Sequence, residues 1–364
     1  MSSSSAVPAA QKKSAHVVEW WADALASQAA RIEALGPLFA VPTPLELVPR
    51  FDALVRSLIA SATAFESADQ HRIASAATAT LAATTVVEKV RLAADVVLAT
   101  FRRGNGSSSA REARSLVRSA GRQFLRLQLS DDGRVVEVLG ALAEARHVVV
   151  LIPGMANDLS NYEGDLHRKA AALLEEMRAA TGDGGVAVVA WLGYNTPDGS
   201  LSGLMEAARS TTARAAAVTL RADLLALRGM RPSAHMTIVA HSYGSVVLGA
   251  AMRSGLRIDD AVVVGSPGMD VDDRRDLGSP RLRLWAAHSP AKLLPMPFPI
   301  SSPILVPPDL VAWAPAHGED PAAEGFGAKR FATDGVGHSS YFDRGSLSLR
   351  NIARIATGRS PSKG

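Results

Sequence analysis

The 364 residues contain no cysteine. That excludes disulfides, thiolate nucleophiles and cysteine-ligated metals, and it fits the expectation of a cytoplasmic protein. There is no run of about 18 uncharged apolar residues, so no membrane-spanning helix is expected. The opening MSSSSAVPAAQKKSAHVVEWW has no apolar stretch after a basic start, so no signal peptide is expected either. Charge of one sign is also lacking. Against 39 Lys and Arg stand 35 Asp and Glu, a formal net charge of +4. The basic residues are scattered, without a block interleaved with aromatics, which argues against a nucleic-acid partner. No G-x-G-x-x-G joins a strand to a helix, and neither G-x-x-x-x-G-K-[ST] nor H-E-x-x-H occurs. No cofactor and no metal are therefore expected.

Hydrophobic residues make up 47% of the chain and charged residues 20%, a composition that supports a sizeable packed core. Residues 1–15 are rich in Ser, Ala and Pro and read as a disordered tail. From 16 to 110 the pattern is helical. Val18, Trp21, Leu25, Ile32 and Leu35 share one face; Phe51, Leu54, Val55, Leu58 and Ile59 share another; Val90, Ala94, Val97 and Phe101 form a third stripe. No titratable cluster accompanies these stripes, so they read as packing faces, with a protein partner of these helices as one expectation. RRGNGSSSA (102–110) is a linker by composition, and 111–364 reads as the second domain.

That domain opens with a hairpin: Gln123–Leu129 and Val135–Leu139 alternate around Asp131-Asp132-Gly133. Strands and helices then alternate, which predicts a mostly parallel sheet. Strands are expected at His147–Ile152, Val186–Leu192, Thr237–Val239, Ala261–Gly265, Leu282–Ala286 and Lys329–Thr333, with helices at Asp165–Arg178, Leu204–Arg228 and Ser346–Thr357. Reactive groups in such sheets gather at the carboxyl ends of the strands.

The stretch MTIVAHSYGSVVLGAAMRSG (236–255) organises the rest. An apolar strand turns through Ala240-His241-Ser242-Tyr243-Gly244 into a helix of small residues capped by Gly255. A strand that turns sharply into a helix around a serine is a nucleophile elbow, which lifts the serine hydroxyl above the sheet edge. The usual G-x-S-x-G has Ala240 in its first position here. An ordinary turn with a buried serine is the alternative. After the third strand, Pro153-Gly154-Met155 is placed to supply a backbone N–H to a developing oxyanion. The second donor would be the N–H of Tyr243, the residue after Ser242. A general base is expected after the last strand, where His338 stands. For the acid that orients it, no carboxylate follows the seventh strand. Asp320 leads, with Asp272 and Asp309 as the other candidates.

Together VLIPGM (150–155), AHSYGS (240–245), VVGSPGM (263–269), HGEDP (317–321), GFGAKRF (325–331) and GHSSYF (337–342) resemble the actinobacterial α/β-hydrolase family of unknown function. The resemblance implies an α/β-hydrolase fold with an antiparallel first hairpin, Ser242 as nucleophile and His338 as base, and it names no substrate. The HGEDP stretch is the reason Asp320 heads the acids. The function expected is a serine hydrolase acting on an ester, a lipid or acyl ester among the candidates, carboxylesterase-like or lipase-like. The Pro-rich excursion at 293–314, with Met296, Phe298 and Trp313, is the candidate lid. The alternative is a catalytically degenerate scaffold that works as an interaction module.

Overall fold

A computed structural model describes residues 121–128, 133–182, 184–287, 317–334 and 337–362. The tail, the helical stretch 16–110, the linker, Asp309 and the excursion 293–314 lie outside the described residues. The chain divides into two units after Gln128, and only residues 121–128 of the first are described.

Eight strands form one sheet: β1 (Gln123–Gln128), β2 (Arg134–Gly140), β3 (His147–Ile152), β4 (Val186–Leu192), β5 (His235–His241), β6 (Asp260–Val264), β7 (Arg283–Ala287) and β8 (Lys329–Arg330). Their order is β1-β2-β4-β3-β5-β6-β7-β8. β2 runs antiparallel to β4, and the pairs from β4 through to β8 are parallel. Five helices are described: α1 (Arg168–Thr181), α2 (Leu201–Ala207), α3 (Thr211–Met230), α4 (Gly244–Arg253) and α5 (Leu347–Ala356).

The central strands are mostly apolar because both faces are covered. Every residue of β4 and β6 is buried, and so are all but the first of β3 and β5. α5 shows how the helices do the covering. Its Leu349, Ile352, Ala353 and Ile355 are buried, and Ser346 caps its start by accepting from the Leu349 N–H at 3.1 Å.

The register sets up the site. Ile152 on β3 pairs with Ala240 on β5, and His241 on β5 pairs with Val264 on β6. The loops beginning at Pro153, Ser242 and Gly265 therefore leave the sheet side by side. Ala240 is fully buried in a regular strand, so its methyl is part of the core.

Two elements differ from expectation. The long helix expected over Leu204–Arg228 is two helices, α2 and α3, separated at Ser210, which has φ 52°. The strand expected over Lys329–Thr333 pairs with β7 only through Lys329 and Arg330.

Candidate active site

Ser242 occupies the turn between β5 and α4 with φ 54°, in the left-handed region that L-residues seldom adopt. Its own N–H donates to Val264 O at 3.0 Å, which locks the turn to the end of β6. The turn is tight because its neighbours are small. A methyl at Gly244 would stand 2.7 Å from Pro153 O, and one at Gly154 would stand 2.7 Å from Ser242 Cβ and 3.1 Å from its Oγ. Gly154 thus lies directly against the serine. If Ser242 serves as the nucleophile of an ester hydrolase, Gly154→Ala is expected to keep the fold but displace it, lowering kcat on a short-chain ester by about 100-fold, the scale of a misplacement near 1 Å. Thermal melts alongside initial rates check this, and an unchanged rate would refute it.

The Pro153–Asn157 loop is tied to the segment after β4. The Tyr194 hydroxyl donates to Pro153 O at 3.0 Å, the Ala156 N–H donates to Pro197 O at 2.9 Å, and the Asn157 N–H donates to Thr196 Oγ1 at 2.9 Å. Ala156 has φ 55°, a further left-handed residue. Among the described residues, the N–H groups of Met155 and Tyr243 have no acceptor. Two backbone donors near the serine are therefore left unused by the fold.

His338 lies in the loop before α5. A methyl at Gly265 would meet its Cε1 at 3.1 Å and its Nδ1 at 3.2 Å, so the ring rests on bare backbone at the end of β6. His241, the residue before Ser242, holds it there. The two ring centroids are 4.9 Å apart, and His241 Nε2 lies 2.7 Å from His338 O. A carbonyl only accepts, so Nε2 of His241 carries the proton. Sequence reasoning directed His241 away from the site, because neighbouring strand residues face opposite sides. Its reach back to the His338 carbonyl spans 97 positions and leaves no local signal.

Burial, and then the positive charge of Lys169, lower the imidazole of His338 to about 4. Burial, followed by Lys169 and His338, pushes His241 well below the ordinary histidine value. Lys169 is buried on α1, 2.8 Å from Asp165, with Phe342 beneath its ammonium. Both histidines are therefore neutral at pH 7.

No described carboxylate hydrogen-bonds the His338 ring. Asp320 accepts from the Ala322 N–H at 2.8 Å and so organises its own turn. Asp272 is exposed, with Oδ1 beside Gly318. Asp309 is outside the described residues. A further carboxylate, Asp270, is drawn into a separate cluster with Ser210 and His317. Among the described residues, no group of three or more His, Cys, Asp or Glu is arranged to hold a metal ion, and no helix is long and apolar enough to cross a membrane.

A family model described as alpha/beta hydrolase matches residues 130–299. An uncharacterised protein of Mycobacterium tuberculosis is 30% identical over 245 residues, covering 62% of this chain and 37% of that protein. An uncharacterised protein of Mycobacterium bovis is 34% identical over 159 residues, covering 41% of this chain and 58% of that protein. The chain thus spans well under two thirds of the length of these relatives. Among solved structures, 2,6-dihydroxy-pseudo-oxynicotine hydrolase is similar at 14% identity and a TM-score of 0.36, covering 87% of this chain and 88% of that one. An esterase from Exiguobacterium antarcticum is similar at 13% identity and a TM-score of 0.23, covering 40% and 46%. Residues 130–299 thus match an alpha/beta hydrolase family model, and the chain is similar in sequence to uncharacterised mycobacterial proteins.

Proposed function

We propose that the protein is a serine hydrolase acting on an ester, with Ser242 as nucleophile and His338 as base. The observation that carries this reading is the left-handed Ser242 at the strand-to-helix turn, with two unused backbone donors beside it and a neutral imidazole held at the same end of the sheet. In the reaction Ser242 Oγ attacks the ester carbonyl carbon while His338 takes the hydroxyl proton. The carbonyl oxygen becomes an oxyanion facing the N–H groups of Met155 and Tyr243. Collapse breaks the bond to the alcohol, which leaves with the proton from His338. Water then repeats the sequence on the acyl-serine and frees the acid.

The acid of the triad in this reading is one of Asp320, Asp272 and Asp309, and either of the first two would have to approach His338 on substrate binding. Asn substitutions separate them, because losing the carboxylate that orients a catalytic histidine lowers kcat by about 10⁴. The helical stretch 16–110, ahead of a hydrolase domain over 111–364, is proposed as the segment that meets a protein partner.

A second reading, a scaffold without catalysis, draws on the His338 ring having no carboxylate partner among the described residues. Labelling with a fluorophosphonate probe, with mass mapping of the adduct, decides between the two. An adduct on Ser242 that disappears in His338→Ala supports the hydrolase. A folded wild type with no adduct sinks it.

A further inference from the structure

HGEDP, singled out in the sequence for its aspartate, does something else with its histidine. His317 is fully buried, and its Nδ1 lies 2.9 Å from Asp270 Oδ1. The Ser210 hydroxyl donates to the same carboxylate oxygen at 2.6 Å and lies 3.0 Å from His317 Nδ1. Arg253, at the end of α4, pairs with the other oxygen at 3.2 Å. Burial alone would raise the Asp270 carboxyl, but the hydrogen bonds from His317 and Ser210 and the charge of Arg253 hold it below the usual carboxylate range.

The backbone here is strained. Four described non-glycine residues have positive φ: Ala156, Ser210, Ser242 and Asp270. Ala156 and Ser242 belong to the site already described. The remaining two are Ser210 and Asp270, joined by their side chains. Each such residue persists only where its surroundings enforce it.

The consequence appears at the start of α3. Ser210 is the N-cap of that helix, and an N-cap serine usually accepts from the third helical N–H. Here that donor is Ala213, and Ser210 does not cap it, because its hydroxyl is turned to Asp270. The vacated place is filled by the Tyr243 hydroxyl, which accepts the Ala213 N–H at 3.2 Å. The Tyr243 ring is buried and stands edge-on to His317, with centroids 5.9 Å apart at 74°. The residue after the nucleophile thus caps Ala213, 30 positions earlier, in the first turn of α3.

We propose that Asp270, Ser210 and His317 are positioning residues: they turn the Ser210 hydroxyl away from α3 so that Tyr243 caps the helix, and thereby fix the Ser242–Tyr243 peptide whose N–H faces the oxyanion. The catalytic half of this statement rests on the serine-hydrolase reading above. The cluster also gives the HGEDP stretch a structural purpose that does not involve Asp320. Gly268 and Gly318 show how closely the two loops meet. A methyl on Gly268 would lie 2.3 Å from His317 O, and one on Gly318 would lie 2.3 Å from Val271 O.

The test uses the full chain and three variants. Asp270→Asn and Ser210→Gly remove the charge or the hydroxyl with residues that tolerate positive φ, and Tyr243→Phe removes the cap but keeps its N–H. Two quantities are read in each: kcat and KM on a short-chain ester, and hydrogen exchange of the Ala213 amide. We expect kcat to fall by about 10–100-fold with KM within about twofold, the pattern of lost transition-state alignment. In Tyr243→Phe, Ala213 exchange should quicken by about tenfold or more, in line with the typical strength of a cap. The double variant Asp270→Asn/Tyr243→Phe should be no slower than the worse single variant, because both act through one contact. Unchanged kcat in Asp270→Asn and Ser210→Gly, or unchanged Ala213 exchange in Tyr243→Phe, overturns the proposal. If the wild type forms no fluorophosphonate adduct, the hydrolase reading is what fails. Ala213 exchange then decides alone whether Tyr243 supplies the cap.

Discussion

Under the proposed serine-hydrolase function, Ser242→Ala is expected to abolish ester turnover, lowering kcat by ~10⁴–10⁶, the range found when a serine nucleophile is removed from an assembled site. The substitution deletes one oxygen and nothing else the fold uses. The hydrogen bonds made by residue 242 run through its backbone: its N–H donates to Val264 O, and its carbonyl accepts from the Ser245 hydroxyl and N–H. Alanine adopts φ 54° about as reluctantly as serine, so stability should change by less than about 1 kcal/mol. Turnover of a p-nitrophenyl ester, measured beside thermal melts, provides the check. Equal turnover by Ser242→Ala and wild type would remove Ser242 from the chemistry.

The second large effect concerns pH. An ordinary histidine base loses activity as pH falls through about 6.5. Here burial, and then Lys169, hold His338 at about 4, so it stays unprotonated well into the acid range. The acid limb of kcat/KM should therefore have its midpoint near pH 4, and Lys169→Met should move it upward. A limb at 6.5 in the wild type would show that His338 is not the titrating base. Stability follows the same ionisation in a defined direction. The unfolded chain takes up a proton on His338 near pH 6.5, while the folded chain resists until about 4. Folding stability is thus fully present above 6.5, declines as pH drops between those values, and levels off below the lower one. Melting temperatures from pH 8 to pH 4 follow that decline.

The parts of this molecule legible in sequence are those that depend on near neighbours. The apolar runs of β3 to β6, the elbow turn and the amphipathic α5 were all expected where they occur, because period and composition fix them locally. The break between α2 and α3 was not. The stretch Ala207-Ala208-Arg209-Ser210-Thr211 contains neither glycine nor proline. Ser210 is turned by Asp270 and His317, which lie 60 and 107 positions away. β8 was overestimated as well, since the strand expected to reach Thr333 finds partners on β7 only at Lys329 and Arg330. In the site, position along the strands pointed to Ser242, His338, Met155 and Tyr243, because α/β sheets gather their loops at one end. The links among side chains were invisible: the hold of His241 on the His338 carbonyl, and the Tyr243 cap on α3. Those depend on which loops touch in three dimensions, and no period records that.

The closely approached glycines bear on how variation in this protein should be interpreted. A methyl at Gly249 would lie 2.0 Å from Met269 O, and Gly268 and Gly318 are equally enclosed by backbone. None of the three touches the serine or the histidine of the site. In a library selected only for soluble, folded protein, these positions should reject every side chain as strictly as position 242 does when activity is selected. Mutational intolerance at Gly249, Gly268 or Gly318 therefore measures how tightly backbone meets backbone. A map of sensitive positions will separate chemistry from packing only if abundance and turnover are scored on the same variants.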